Sequence, residues 1–171
     1  RKKGNATHLF MQFARYEACT AEEPLRAELA RLQDERFLTP RQAEAVDLGH
    51  ILRLFASPLG ARILSARALR REFKFSILTD AADYDPAAAG EEVLLQGVGE
   101  AWFETKDGLV IVDYKTDRIR PEGVPARTAY YAAQLRAYAG AMARITGQPV
   151  CRRVLYFLHC GQVSDVPGPD A

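Results

Sequence analysis

The sequence is poor in the residues that announce secreted or metal-thiolate chemistry. It has three cysteines, Cys19, Cys151 and Cys160, an odd number, widely spaced and without a C-x-x-C pair. That pattern argues against a disulfide framework and against a zinc or iron–sulfur site built from this chain's thiols. No iron–sulfur cluster is expected, and the thiols read as reduced and buried, as in a cytosolic protein. No apolar run approaches the roughly 20 residues of a membrane span, and no signal-peptide pattern opens the chain. A G-x-x-x-x-G-K-[ST] phosphate loop is missing, so ATP hydrolysis is not expected of these residues. The formal net charge is only +1, which does not mark a general nucleic-acid binder and leaves that role to local basic stretches. The chain also lacks an initiating Met. It opens RKKGNATH, as a domain excised from a larger protein would.

What is present is globular. Apolar residues at 48% and charged residues at 26% exclude a largely disordered chain, and 171 residues suffice for one domain with its own core. We expect a single domain over 1–171, with a helical lead-in over 1–66 and an α/β core over 67–171. The lead-in should begin with a helix capped by Asn5 or Thr7 and carrying Leu9, Phe13 and Tyr16. A second helix follows with Leu25, Leu29 and Leu32 in one stripe. A third has Thr39 as its cap, Pro40 at its first position and a stripe of Val46, Ile51, Leu54 and Phe55. The segment SPLG restarts a short helix through Ile63 and Leu64.

From about Leu69 the period changes to that of strands. LRREFKFSIL reads as one strand, and TDAADYDPAAAGEE as a loop. VLLQGVGEAWFE and LVIVDYKT read as two more strands, joined at Asp107-Gly108. DRIRPEGVPAR reads as a loop. TAYYAAQLRAYAGAMARIT should be a helix with Tyr131, Leu135, Tyr138, Met142 and Ile145 on one face, ended by Gly147. CRRVLYFLH is a last strand. Helices then β, β, β, α, β imply an α/β fold with a central mixed sheet flanked by helices.

The hairpin carries the chemistry. Alternation puts Val110, Val112 and Tyr114 on the core face of their strand and Ile111, Asp113 and Lys115 on the other. A two-residue loop brings Glu100 opposite Lys115; a four-residue loop brings it opposite Asp113. Either way Glu100, Asp113 and Lys115 share a face, with cross-strand Cβ atoms about 4.5–5.5 Å apart. Two carboxylates at 4 Å repel by about 4 kcal/mol at an effective dielectric near 20, unless a cation lies between them. Hard oxygen ligands on strands suit Mg²⁺, and a neighbouring Lys can serve an attacking water or a charged phosphate. A solvated ion pair on an exposed strand is the competing explanation.

The whole constellation adds to this. QGVGEAWFE, GLVIVDYKTDR, YAAQLRAYAGAM and VLYFL together resemble the RecB-like nuclease domain of the PD-(D/E)XK superfamily. Within it, they are similar to the C-terminal nuclease domain of AddA-type subunits of bacterial helicase–nucleases. The resemblance runs from about His8 to Phe157 and implies a restriction-endonuclease-like core. It implies a Mg²⁺-dependent deoxyribonuclease, Mn²⁺ being a possible substitute, that trims DNA as an exonuclease during double-strand-break repair and recombination. It also implies a helicase part in the same chain, a second helicase–nuclease subunit, and a place in the bacterial cytoplasm at the nucleoid. By residue, it makes His8, Glu100 and Asp113 the metal ligands, and Lys115, Asp113 and Glu100 the catalytic set. Gln134 and Tyr138 position the DNA or Lys115, and Glu72 is an acid beside the site. Two positions depart from the family: Lys74 stands where a proline is usual, and Glu100 where Asp is usual. A non-catalytic scaffold or DNA-binding module on the same fold is the alternative. Arg62, Arg67, Arg70, Arg71 and Lys74 form either a phosphate track or a solvated face. His50 and His159 read as packed or surface histidines.

Overall fold

The structure, a computed structural model, describes residues 2–72, 75–80, 86–97 and 99–169. Side chains at 2–5, 72, 75–80, 86 and 93–97 lie outside that description. So do all of Lys74 and part of the loop expected over 79–92.

The lead-in is helical, with three boundaries moved from expectation. Helix α1 (Lys2–Phe13) starts before Asn5 and Thr7, so neither caps it; Tyr16 follows it in a 3₁₀ turn, Tyr16–Thr20. Its buried face is Ala6, Phe10 and Met11. Helix α2 (Glu22–Asp34) buries Leu25 and Leu32 as expected, and Glu28 beside them. The single helix expected from Thr39 to Ser57 is two, α3 (Pro40–Ala45) and α4 (Leu48–Ala56). The break has a local cause. Val46 is extended (ψ 122°), and the Asp47 side chain accepts from the His50 N–H to cap a new helix. Thr39 does form the expected cap, closed reciprocally by Gln42. Helix α5 (Pro58–Ser65) restarts behind Ser57, whose hydroxyl accepts from Gly60.

The stretch 69–105, expected as two strands and a loop, holds four strands. β1 (Arg70–Glu72) and β2 (Phe75–Asp80) belong to different sheets, as do β3 (Glu92–Gly97) and β4 (Glu100–Thr105). β2 and β3 pair with each other in a separate two-stranded ribbon. β4 turns into β5 (Gly108–Lys115), followed by α6 (Val124–Thr146), β6 (Val150–Phe157) and β7 (Gln162–Asp165). Helix α6 begins within the expected loop, with a proline in its first turn, and Gly147 ends it in the left-handed region at φ 70°. The main sheet has the order β1-β4-β5-β6-β7, with β5 and β6 parallel and the other pairs antiparallel. β5–α6–β6 is thus a crossover unit at the centre of a mixed sheet, with helices on either side.

That topology corrects the expectation of one core face on β5. Val110, Val112 and Tyr114 pack with the lead-in helices. Ile111 packs with Leu135, Tyr138 and Met142 of α6. Both faces are covered, so all of β5 except Lys115 is buried. Ile145, expected on the buried stripe of α6, is instead 72% exposed. Of the three thiols only Cys19 is buried; Cys151 is exposed.

Candidate active site

Two-sided coverage makes the acids on β5 informative. Asp113 is 4% exposed, and its register partner across the hairpin, Glu100, is equally buried. This is the register expected of the four-residue loop, except that pairing runs one step further: Thr105 pairs with Gly108, leaving only Lys106 and Asp107 as the turn. Gly108 is already in the strand, where a Cβ would collide with the Pro149 carbonyl oxygen. Beyond β4, the Cα of Glu72 on β1 faces that of Glu100. Three acidic positions therefore lie in one row across three strands.

The ammonium of Lys115 lies 3.1 Å from Asp113 Oδ2, while Asp113 Oδ1 is buried and accepts no hydrogen bond among the described residues. Burial pushes the Asp113 carboxyl up to about 6; Lys115 opposes the rise and Asp117 adds to it. The chain thus holds a carboxylate where desolvation penalises its charge, with one oxygen left over. Lys115 Nζ also stands 4.0 Å from the ring centroid of Tyr131, whose hydroxyl donates to Asp117 Oδ2 at 2.7 Å. Two contacts therefore fix the ammonium: a carboxylate and an aromatic face.

His8 arrives from the lead-in side. Its Nε2 is 2.9 Å from the carbonyl oxygen of Tyr114, so it approaches the β5 backbone between Asp113 and Lys115. A close approach permits this. Gly99 has φ 100°, and a Cβ there would stand 2.6 Å from the His8 ring. The glycine between β3 and β4 both breaks the expected long strand and makes room for the imidazole. Arg71 secures the helix that carries His8. Its Nη1 donates to the carbonyls of Met11, Gln12 and Ala14 at 3.1, 3.0 and 2.6 Å, the exposed carbonyl end of α1. Arg71 is thereby occupied and does not belong to a phosphate track. Arg62 and Arg70 lie 6.0 and 5.9 Å from the Phe103 and Trp102 rings.

Among the described residues no three His, Cys, Asp or Glu side chains stand together as a ready-made metal cluster. The donor chemistry nonetheless fits a hard cation. It comprises two buried carboxylates in register, one with an unmatched oxygen, and an imidazole beside a backbone carbonyl. The 2.9 Å contact is a hydrogen bond in which His8 Nε2–H donates to the Tyr114 carbonyl, so this nitrogen would have to give up its proton to hold a cation. The Tyr114 carbonyl oxygen is a polar group of the site that side-chain patterns do not reveal. Gln134 is half-buried and Tyr138 fully buried on α6. His50 and His159 touch edge to face, with ring centroids 5.4 Å apart, and line a neighbouring pocket of about 200 Å³ with Thr7, Thr116 and Arg118.

The chain matches the PD-(D/E)XK nuclease superfamily over residues 1–168. It belongs to that superfamily. Its mixed sheet flanked by helices is the restriction-endonuclease-like architecture. Its relatives include proteins named as the A subunit of an ATP-dependent helicase/nuclease. One, from Acetivibrio thermocellus, is 35% identical over 167 residues, covering 95% of this chain and 13% of that protein. Another, from Carboxydothermus hydrogenoformans, is 37% identical over 158 residues, covering 91% and 14%. A third, from Moorella thermoacetica, is 37% identical over 166 residues, covering 94% and 12%. The chain therefore spans about one-eighth of the length of these relatives.

Proposed function

We propose that this PD-(D/E)XK domain is a Mg²⁺-dependent deoxyribonuclease that trims DNA ends as an exonuclease, within a larger helicase–nuclease of double-strand-break repair and recombination. The observation that carries the chemistry is the register pair Glu100–Asp113, two buried carboxylates with Lys115 at 3.1 Å from one of them. The names of the relatives support the wider setting: DNA as substrate, with a helicase part in the same chain and a second, separate helicase–nuclease chain as partners. The 171 residues act as one unit, because the lead-in supplies His8 and the core supplies the acids.

Glu100, Asp113 and His8 would hold Mg²⁺, with Mn²⁺ as a substitute, and the Tyr114 carbonyl offers a further oxygen. The bound ion supplies Lewis acidity, drawing charge from a phosphate oxygen and favouring the hydroxide form of water. Lys115 holds the attacking water and offsets charge growing on the phosphate. Asp113 keeps that ammonium in place, and the Tyr131 ring prevents it from swinging outward. Gln134, half-buried on α6, holds the DNA strand or Lys115 in register, while Tyr138, one helical turn on and without exposed surface, can serve only Lys115 from within the core. Glu72, whose Cα faces that of Glu100, is the acid that the family pattern sets beside the site.

The test is cleavage of linear single- and double-stranded DNA by the chain, with and without Mg²⁺, beside Lys115→Ala and Glu100→Gln. Cleavage should require Mg²⁺ and should vanish in Lys115→Ala. Glu100→Gln, which preserves shape, should bind Mg²⁺ more weakly by calorimetry. Glu100→Asp should retain activity. Undiminished cleavage by Lys115→Ala contradicts the assignment.

A further inference from the structure

Tyr130 has a surface that folding does not account for. It is 72% exposed, on the solvent side of α6, where a charged residue would cost less. It also has defined neighbours. Its ring meets that of Tyr131 at 75°, with centroids 5.0 Å apart, and the Arg127 guanidinium lies 5.7 Å from its centroid. Asp117 ties these neighbours together. Its Oδ2 accepts from the Tyr131 hydroxyl at 2.7 Å and faces Arg127 Nε at 3.7 Å. Lys115 Nζ lies 4.0 Å from the centroid of the Tyr131 ring. An exposed aromatic ring thus stands one ring away from the amine assigned to the reaction, with one cation beside it and another beside its neighbour.

We propose that Tyr130, flanked by Arg127, is a stacking platform for an unpaired nucleotide of the DNA strand whose phosphodiester lies at Lys115. This rests on the nuclease assignment for the position of the cut and goes beyond it in naming the side chains that hold a base beside it. The chemistry favours a single strand. Bases within a duplex already stack on their neighbours and cannot spread onto a protein ring, whereas an unpaired base offers a free π-face that any sequence supplies. Arg127 and Lys115 would meet the phosphates on either side of that base. The contact between Tyr131 and Asp117 braces the platform, so little ordering is left to do on binding. Tyr130 touches none of the reacting atoms; it is a positioning residue.

Binding is read without cleavage, by fluorescence anisotropy of a labelled oligothymidine of about 15 nucleotides in low salt and chelator. The same measurement is made on a duplex of equal length. Tyr130→Ala should weaken single-strand binding about tenfold and leave duplex binding within twofold. Tyr130→Phe, which keeps the face, should bind as the parent does. With Mg²⁺ present, Tyr130→Ala should raise KM for single strands and change kcat little. A single abasic site moved along the oligonucleotide should reproduce the loss at one position in the parent and add nothing there in Tyr130→Ala. Equal single-strand affinity of parent and Tyr130→Ala overturns the platform, as does equal loss in the Phe and Ala forms. If the parent cuts no DNA yet shows the abasic pattern, the nuclease assignment fails and the platform stands.

Discussion

The Arg71 guanidinium lies 4.0 Å from the ring centroid of Tyr16, and that stack holds the arginine against the end of the helix that carries His8. The Tyr16 hydroxyl donates to the Met11 carbonyl at 2.7 Å, a group Arg71 also reaches. Burial drives the Tyr16 hydroxyl up to about 12 despite the cation beside it, so it remains a donor. Arg71→Met keeps the stem but removes the donor from the Gln12 and Ala14 carbonyls, while Met11 keeps the Tyr16 hydroxyl. It should cost about 1.5–3 kcal/mol, as expected for hydrogen bonds to a charged group, and should weaken Mg²⁺ binding by letting His8 drift. Chemical denaturation and a metal titration read the two effects separately. Normal metal affinity in a destabilised protein argues that α1 is fixed by other contacts.

Asp113→Asn separates what the site needs from what the fold prefers. A buried carboxylate with one unmatched oxygen costs stability, and Asn keeps its shape without the charge. The metal-free variant should therefore be as stable as the parent or more stable, while its cleavage is lost. Thermal melts in chelator and a DNA-cleavage assay check the pair of outcomes. A large loss of stability shows that the Lys115 ion pair outweighs desolvation.

Gly99→Ala should act through the backbone and through His8. The new methyl meets the imidazole at 2.6 Å, and the backbone there sits at φ 100°. The expected cost is at least about 1 kcal/mol from the left-handed backbone, plus displacement of the ring. Loss of metal affinity with little change in DNA binding is the signature to look for.

Glu28 supplies a pH dependence far from the site. It is buried on α2, receives Arg31 at 2.6 and 2.9 Å, and accepts from the Arg15 backbone N–H. Burial alone would raise its carboxyl, but the Arg31 and Arg15 bonds outweigh it and hold the group below its ordinary value. A depressed carboxyl stabilises the fold above its unfolded pKa of about 4.3, and that contribution disappears as pH falls through the lower folded value. Glu28→Gln should lose about 1.5–3 kcal/mol at pH 7 and converge with the parent as pH falls below about 4. Urea denaturation at several pH values gives the comparison. A constant gap across that range would exclude the ion pair as its source.

Local signals exposed some parts of this molecule and hid others. That Glu100 and Asp113 share a face followed from side-chain parity, which survives any even change in loop length; which residue of β5 Glu100 faces did not follow, because Lys106-Asp107 and Asp107-Gly108 both look like turns. The break at Gly99 was masked by flanking apolar residues that suit one continuous strand. Helices α3 and α4 looked like one because Asp47 is both a tolerable helix residue and a cap. β5 looked half-exposed because Asp113 and Lys115 interrupt its apolar run. Its second cover, α6, is placed by parallel pairing with β6, which no short window contains. The four residues of β7 were too few to show a period. The contact between His8 and Tyr114 spans 106 positions, and the packing of α1 creates it.

That span also orders events in time. During synthesis the imidazole leaves the ribosome long before the acids do, and β5 gains its parallel neighbour only when Val150–Phe157 has followed. A chain made from its N-terminus therefore passes most of its elongation with His8 and the two buried acids apart. A truncated or stalled product carries the imidazole without the strand that receives it. Burying the acids between two layers thus leaves the site incomplete until translation of the domain is nearly finished.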